Sequence, residues 1–174
     1  MEYTNTLYGR VPYFQFIYNR HFQRDRKVNS ITYYGYIPGS KRQHYYRKLV
    51  CENPFPRWIQ NLLGLNQPVY VTQQISFDEH AFTCSSLFGF KSKYSSFNIE
   101  EQVECTPCPD GVKLDVSIIG HLTGNRLVDV MIKKFYTSYR LDVLRKDING
   151  GGDGGNVTNY DATMALIDQS FINV

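Results

Sequence analysis

Three charged residues stand in apolar or aromatic surroundings, and their chemistry is the first clue to function. Arg20 ends an aromatic segment, Arg47 lies in an alternating run, and Glu101 interrupts an apolar face in residues 97–105. A guanidinium group binds phosphate or carboxylate oxygens bidentately, most strongly where water is excluded. Arg20 and Arg47 are therefore candidates for binding an anionic group. The plainer interpretations are a solvated arginine at a helix end and an outward charge on a strand.

The carboxylate of Glu101 is expected to be buried, because its neighbours on the strand face are apolar. A buried carboxylate needs a cationic partner. The plainer interpretation is a structural salt bridge with Arg20 or another of the basic candidates. The functional one is that Glu101 holds such a residue in place until a ligand phosphate replaces the carboxylate.

Residues 55–65 carry more apolar surface than so short a segment needs for its own packing. Trp58, Ile59, Leu62 and Leu63 form one stripe at helical spacing, and Phe55 precedes them. The segment either docks on the core or forms a lid that opens at a membrane and inserts Trp58 and Leu62. These five residues are the candidate lid and membrane contacts.

Three basic residues, Lys133, Lys134 and Arg140, are expected on the exposed side of a long C-terminal helix. A solvated face is the usual reason for such a cluster. The functional alternative is contact with a membrane surface or with a lipid head group.

No arrangement typical of an enzyme occurs in the sequence. It lacks the nucleophile-elbow, phosphate-loop and HExxH patterns, and its four histidines are scattered. Cys105 and Cys108 form a single CxxC at a proline-rich hairpin, without the further ligands that zinc needs. A disulfide between them is conceivable in an oxidising compartment. We therefore predict a protein without catalytic activity, metal or cofactor.

The hydrophobic periodicity places these residues on a sheet and three helices. Strand-like alternation covers residues 2–8, 28–37, 44–51, 69–77, 81–88, 97–105 and 112–118, and helical spacing covers 12–24, 57–63 and 125–148. This order predicts an α+β fold with an antiparallel meander of about seven strands, and its apolar face must be covered by helices. The long helix is expected to bury Val128, Ile132, Phe135, Tyr139 and Val143. An elongated cavity then lies between the sheet and this helix.

Length and composition favour one domain with an aromatic interior. The chain has 174 residues, of which 14 are tyrosine and 11 phenylalanine against one tryptophan, and such rings fill cores or line apolar pockets. A net charge of +3 is too low for a dedicated nucleic-acid binder. Neither a membrane span nor a secretory signal or transit peptide is expected. Residues 1–148 are predicted to form the domain, and 149–174 a Gly-rich linker with a tail that is either an accessory helix or disordered.

Four short motifs follow one another at spacings that together resemble one known family. They are Tyr18-Asn19-Arg20-His21, Tyr46-Arg47-Lys48-Leu49, Pro56-Arg57-Trp58-Ile59 with Leu62-Leu63-Gly64, and Ile99-Glu100-Glu101. In this order they look like motifs of the PRELI-like (slowmo) family of mitochondrial phospholipid transfer proteins. The resemblance covers about residues 1–148. Lys27 stands where that family has a histidine, and residues 22–28 lack the prolines that it carries there.

The resemblance implies a START-like curved sheet that, with its helices and a short lid helix, encloses a phospholipid cavity. It implies transfer of one acidic phospholipid, phosphatidic acid first and phosphatidylserine next, between mitochondrial membranes in the intermembrane space. It assigns head-group contact to Arg20 and makes Lys27 a second candidate. It also implies transient membrane contact and a small, Cys-paired helical partner protein, with no role for nucleic acid.

Two other classes of function stay open on the sequence. One is a START-like enzyme acting on a small apolar ligand, which would need inward polar groups with shifted pKa values. The other is a nucleic-acid or protein interaction module, which would need Tyr34, Tyr36 and Tyr45 on an uncovered, basic sheet face.

Overall fold

The described parts of the chain form seven strands and four helices. The computed structural model describes residues 1–22, 28–93, 96–121, 123–150 and 157–172. The elements are β1 (Glu2–Gly9), α1 (Tyr13–Phe22), β2 (Val28–Tyr34), β3 (Gln43–Cys51), α2 (Arg57–Leu63), β4 (Val69–Phe77), β5 (Phe82–Lys91), β6 (Ser96–Cys108), β7 (Gly111–His121), α3 (Arg126–Asn149) and α4 (Tyr160–Ile172). The predicted α+β class and element order are confirmed, with α4 added.

The strands form one antiparallel sheet in the order β1-β7-β6-β5-β4-β3-β2. From β2 to β7 each strand pairs with its neighbour in sequence, and β1 joins the far edge by pairing with β7. Buried and exposed residues alternate along the central strands, so one face packs against the helices and the other faces solvent.

Helix α3 covers the inner face with only part of the predicted stripe. Of the five predicted contacts, Ile132 is buried, and Val128 and Phe135 are partly buried against the core. The other buried contacts include Tyr136, Arg140, Leu144 and Ile148. These positions repeat at helical spacing. The apolar pattern was misleading because polar residues, including Thr137 and Asp147, also occupy core-facing positions.

The ends of α2 and α3 are set by local chemistry. The side chain of Asn125 accepts hydrogen bonds from the backbone N–H groups of Leu127 and Val128, as an N-cap does. Gly64 ends α2 in the left-handed conformation, with φ of 64°, which favours glycine.

No helix within the described residues has the length and apolarity to cross a membrane.

The segment beyond the Gly-rich stretch forms a helix, so the first of the two predicted alternatives for the tail is confirmed. Helix α4 lies against α1, and its Met164 and Ile167 belong to the same hydrophobic core as the residues of the sheet. The C-terminal segment is therefore part of the packed structure built by residues 1–148.

Candidate functional site

A row of polar side chains crosses the inner face of the sheet. Arg47, Gln73, Ser86 and Glu101 stand opposite one another on β3, β4, β5 and β6. All four are buried. The Nε of Arg47 donates to Oε1 of Gln73 at 2.6 Å, and Nε2 of Gln73 donates to Oγ of Ser86 at 2.9 Å. The alternation along the strands had already pointed to Arg47 and Glu101, the charged ends of this row. Nothing in the pattern of β5 distinguished Ser86 from its neighbours.

The partner of Glu101 is Arg140 of α3. The Nε and Nη2 atoms of Arg140 donate to the two carboxylate oxygens, each at 2.6 Å, and the guanidinium lies 5.3 Å from the centre of the Phe88 ring. The prediction that Arg140 is exposed was wrong: its exposed fraction is 1%. Burial lowers the pKa of Arg140, but the Glu101 carboxylate more than offsets this effect, and the pKa stays above its usual value.

Arg20 is buried at the end of α1 and pairs with Asp147 of α3. Its Nη1 lies 3.0 Å from Oδ2 of Asp147. Arg47 also reaches this end of α1, where its two terminal nitrogens donate to the carbonyl oxygens of Arg20 and His21 at 3.1 and 3.0 Å. The pairing that the structure describes for Glu101 is thus with Arg140, and those it describes for Arg20 and Arg47 are with Asp147, Gln73 and the end of α1. Lys27 lies outside the described residues.

This inner layer carries an excess of positive charge. The buried charged groups that the structure describes are three guanidiniums, from Arg20, Arg47 and Arg140, and two carboxylates, from Glu101 and Asp147. His21 adds no charge at neutral pH, because burial and the nearby Arg47 lower its pKa to about 3. A layer with one cation more than its carboxylates is electrostatically suited to an anionic group.

Arg140 also lines a cleft between α3 and the chain that follows β3. The cleft has a volume of about 340 Å³. Its lining is largely apolar and aromatic, with Glu52, Asn53, Arg140 and Lys146 as the polar and charged members. The lining residues are Cys51, Glu52, Asn53, Pro54, Val69, Phe88, Tyr136, Tyr139, Arg140, Val143 and Lys146. This volume is at the lower end of the range of about 300–1,000 Å³ for small-molecule sites.

The predicted lid residues divide between the core and solvent. Phe55, Ile59 and Leu63 are buried, whereas Trp58 and Leu62 are 54% and 56% exposed. The Trp58 ring meets the Phe135 ring of α3 edge to face, with centroids 5.5 Å apart. Helix α2 is thus docked on the core through one side and presents two large apolar groups on the other.

The structure also describes the predicted lysines of α3 and the two cysteines of the CxxC. Lys133 and Lys134 are exposed on α3, as predicted. Cys105 and Cys108 are free thiols; burial raises the pKa of Cys105 above its usual range. Within the described ranges, no group of three or more metal-ligating side chains comes together.

The outer face of the sheet holds two larger open grooves, of about 690 and 600 Å³. Hydroxyl and amide side chains dominate them, and Tyr34 and Tyr46 lie beside the second. The face is not basic, since Glu100, Glu104 and Asp115 also line it. Tyr45 is buried on the other side. The three-tyrosine platform expected for an interaction module is therefore not formed.

Two solved structures share this arrangement of sheet and helices. The di-domain ARO/CYC StfQ from the steffimycin biosynthetic pathway has a TM-score of 0.53 and 8% identity; the match covers 99% of this chain and 52% of StfQ. Dicamba monooxygenase bound to 3,6-dichlorosalicylic acid has a TM-score of 0.53 and 10% identity, with 99% and 60% covered. The chain thus spans only part of either protein. No family model and no curated protein matches the sequence. The fold is START-like, as predicted.

Proposed function

We propose that the protein binds one hydrophobic ligand carrying an anionic group, in the space between α3 and the inner face of the sheet. The observation that supports this most is Arg140: a buried guanidinium, paired with a carboxylate, in a cleft lined largely by apolar and aromatic side chains. A ligand phosphate can replace Glu101 as the bidentate partner of Arg140. Among the residues that the structure describes, the buried layer has one more cation than carboxylates, which favours the exchange.

The ligand class we propose is an acidic phospholipid, phosphatidic acid first and phosphatidylserine next. The protein would carry it between membranes, and no bond would be made or broken. Each buried CH₂ contributes about 0.8 kcal/mol, so acyl chains strongly favour an enclosed site. Two chains need more room than 340 Å³, so α2 must separate from α3. Trp58 and Leu62 would enter the membrane interface during this step, and Lys133 and Lys134 would face anionic head groups.

The cellular setting is proposed from the resemblance to PRELI-like proteins. It comprises the mitochondrial intermembrane space and a small, Cys-paired helical partner protein. A net charge of +3 agrees with transient contact with anionic membranes.

The test is native mass spectrometry with lipid extraction on the purified protein. We expect one acidic phospholipid per chain, with occupancy falling at least tenfold in Arg140→Gln. Arg145→Gln, an exposed arginine on the same helix, is the matched control. An empty wild-type protein that also fails to move fluorescent phosphatidic acid between liposomes would refute the proposal.

A second candidate function is binding or conversion of a small ring-shaped ligand. It is favoured by the volume of the cleft, which fits a small ring without any movement of α2. StfQ, a neighbour in fold, is described as an ARO/CYC of a biosynthetic pathway. The same mass spectra distinguish the candidates, because a retained small molecule in place of a lipid would support this one.

A further inference from the structure

The guanidinium of Arg140 has hydrogen-bonding capacity that its ion pair does not use. Glu101 occupies one edge of the group, since its two oxygens accept hydrogen bonds from Nε and Nη2. A guanidinium carries five N–H donors in a fixed plane; two are used here, and three have no partner among the described residues. Two of these three point the same way, along the edge formed by Nη1 and Nη2. That edge has the geometry to bind a second carboxylate bidentately.

The unused edge can be reached from the cleft that Arg140 lines. The buried side-chain atoms that lack a hydrogen-bond partner include Nδ2 of Asn19 and Oγ1 of Thr137, but not Nη1 of Arg140. Nη1 is therefore not fully enclosed by the protein, although Arg140 as a whole is 1% exposed. Because Arg140 belongs to the wall of the cleft of about 340 Å³, an anion in this cleft can meet the free edge.

The charge of the interior favours a second anion. The inner layer, as far as the structure describes it, holds three guanidiniums and two carboxylates, so one added carboxylate balances it. Lys146 also lines the cleft and attracts an anion that enters. Glu52 lines it too and opposes this attraction, but its side chain is exposed to solvent, where salt screens the charge.

The rest of the wall suits a flat apolar body. Phe88, Tyr136 and Tyr139 line the cleft. The Phe88 and Tyr136 rings meet edge to face with centroids 5.6 Å apart, and the Phe88 ring lies 5.3 Å from the guanidinium. Aromatic side chains bind a further ring by offset stacking or edge-to-face contact. A ring that carries a carboxylate therefore matches both the polar and the apolar part of the wall.

We propose that this cleft binds a small aromatic carboxylate, with the carboxylate on the Nη1–Nη2 edge of Arg140 and the ring beside Phe88 and Tyr136. Glu101 keeps the other edge, and α2 stays in place. Arg140 is then the residue that selects an anion, and Glu101 is the residue that positions Arg140. This site rests on the second candidate function, whose ring-shaped ligand it identifies by chemical class.

The experiment titrates the full chain, freed of bound lipid on a hydrophobic resin, with naphthoate and with naphthamide. The two probes share a ring system and differ in charge. Isothermal titration calorimetry should give one site per chain for naphthoate and at least tenfold weaker binding of naphthamide. Nuclear magnetic resonance adds a second readout: the Nε–H signal of Arg140 should keep its shift when naphthoate is added, because Glu101 stays on that edge.

Two variants locate the site. Arg140→Lys keeps a positive charge for Glu101 but removes the second edge, so it should weaken naphthoate binding at least tenfold and leave naphthamide binding unchanged. Val143→Phe enlarges a side chain in the wall of the cleft and should weaken the binding of both probes. Arg145→Gln is the matched control, since Arg145 is an exposed arginine on the same helix; it should leave the affinities unchanged.

The outcomes separate this proposal from the functions proposed above. Equal affinities for the two probes, or a large shift of the Nε–H signal, would overturn the proposal and leave the second candidate function standing. Unchanged naphthoate binding in folded Arg140→Lys would also overturn it; if that variant does not fold, unchanged binding in Val143→Phe does so. A chain that binds neither probe refutes both this site and the second candidate function, while the lipid found by mass spectrometry decides the phospholipid proposal.

Discussion

At the scale of single residues, the interior contains three buried arginines, of which the sequence pattern placed Arg140 wrongly at the surface. The motif positions led to Arg20 and Arg47 as binding residues and to Arg140 as a surface charge. All three are 1% exposed, and each is held by partners from a distant part of the chain. Periodicity identifies apolar faces, but which arginine meets which carboxylate depends on tertiary packing. Only the burial of Glu101 followed from its strand.

The Glu101–Arg140 pair gives the first prediction. Glu101→Gln should reduce the free energy of unfolding by about 3–5 kcal/mol, because it leaves a buried guanidinium without its counter-ion. Urea denaturation measures the change. Asp142→Asn removes the carboxylate of the exposed Asp142–Arg145 pair and should cost less than about 1 kcal/mol. Equal effects for the two variants would show that the Glu101 pair is not desolvated in solution.

His21 gives a prediction about pH. Its pKa is lowered in the folded protein, from 6.5 to about 3, so the unfolded chain binds the proton more tightly. The stability that neutral His21 contributes is full above pH 6.5 and is lost as the pH falls toward 3, with a slope approaching about 1.4 kcal/mol per pH unit. Unfolding free energies measured from pH 7 to 4 should therefore fall less steeply in His21→Gln than in wild type. Parallel curves would contradict a neutral, buried His21.

At the scale of elements, strands were easier to predict than the faces of helices. Alternation with a period of two survives a single polar residue, so β4, β6 and β7 lie close to their predicted places. In α3 the buried Thr137, Arg140 and Asp147 dilute the apolar stripe, and the predicted face was correct only in part. The Asn125 cap could be predicted because capping is a local interaction.

Helix α4 provides the prediction that belongs to this scale. Ile167 is fully buried in the common core, whereas the neighbouring Leu166 is partly exposed. Ile167→Ala should therefore lower the free energy of unfolding by about 2–5 kcal/mol, and Leu166→Ala should have a much smaller effect. Thermal or urea unfolding of the whole chain measures both. A small effect of Ile167→Ala would mean that α4 contributes little to the stability of the core in solution.

At the scale of the whole molecule, the START-like fold could be predicted but the filling of its interior could not. The order of elements fixed the number of strands and the covering helices. The cleft is smaller than a phospholipid requires, because the rings of Phe88 and Phe90 pack against that of Tyr136 and fill part of the interior. Whether aromatic residues fill a core or line a cavity depends on how their rings pack against one another. The amino-acid composition does not determine this packing.

Contact with membranes can be tested through the only tryptophan in the chain. Trp58 is half exposed beside Leu62, so its emission should shift to shorter wavelength when vesicles containing phosphatidic acid are added. Neutral phosphatidylcholine vesicles should produce a much smaller shift, and Lys133→Glu with Lys134→Glu should reduce the response to acidic vesicles. Identical emission with and without acidic vesicles would argue against insertion of α2.

The pairing of β1 with β7 has a consequence for how the protein is made. Glu2 stands opposite Ile119 and Gly9 opposite Val112, so the strand of this sheet that is synthesised first pairs with the one that is synthesised last. At about 5–20 residues per second, β1 waits for several seconds or longer while β2 to β6 can already pair with their sequence neighbours. During translation β1 therefore stays without its partner strand until β7 has been made.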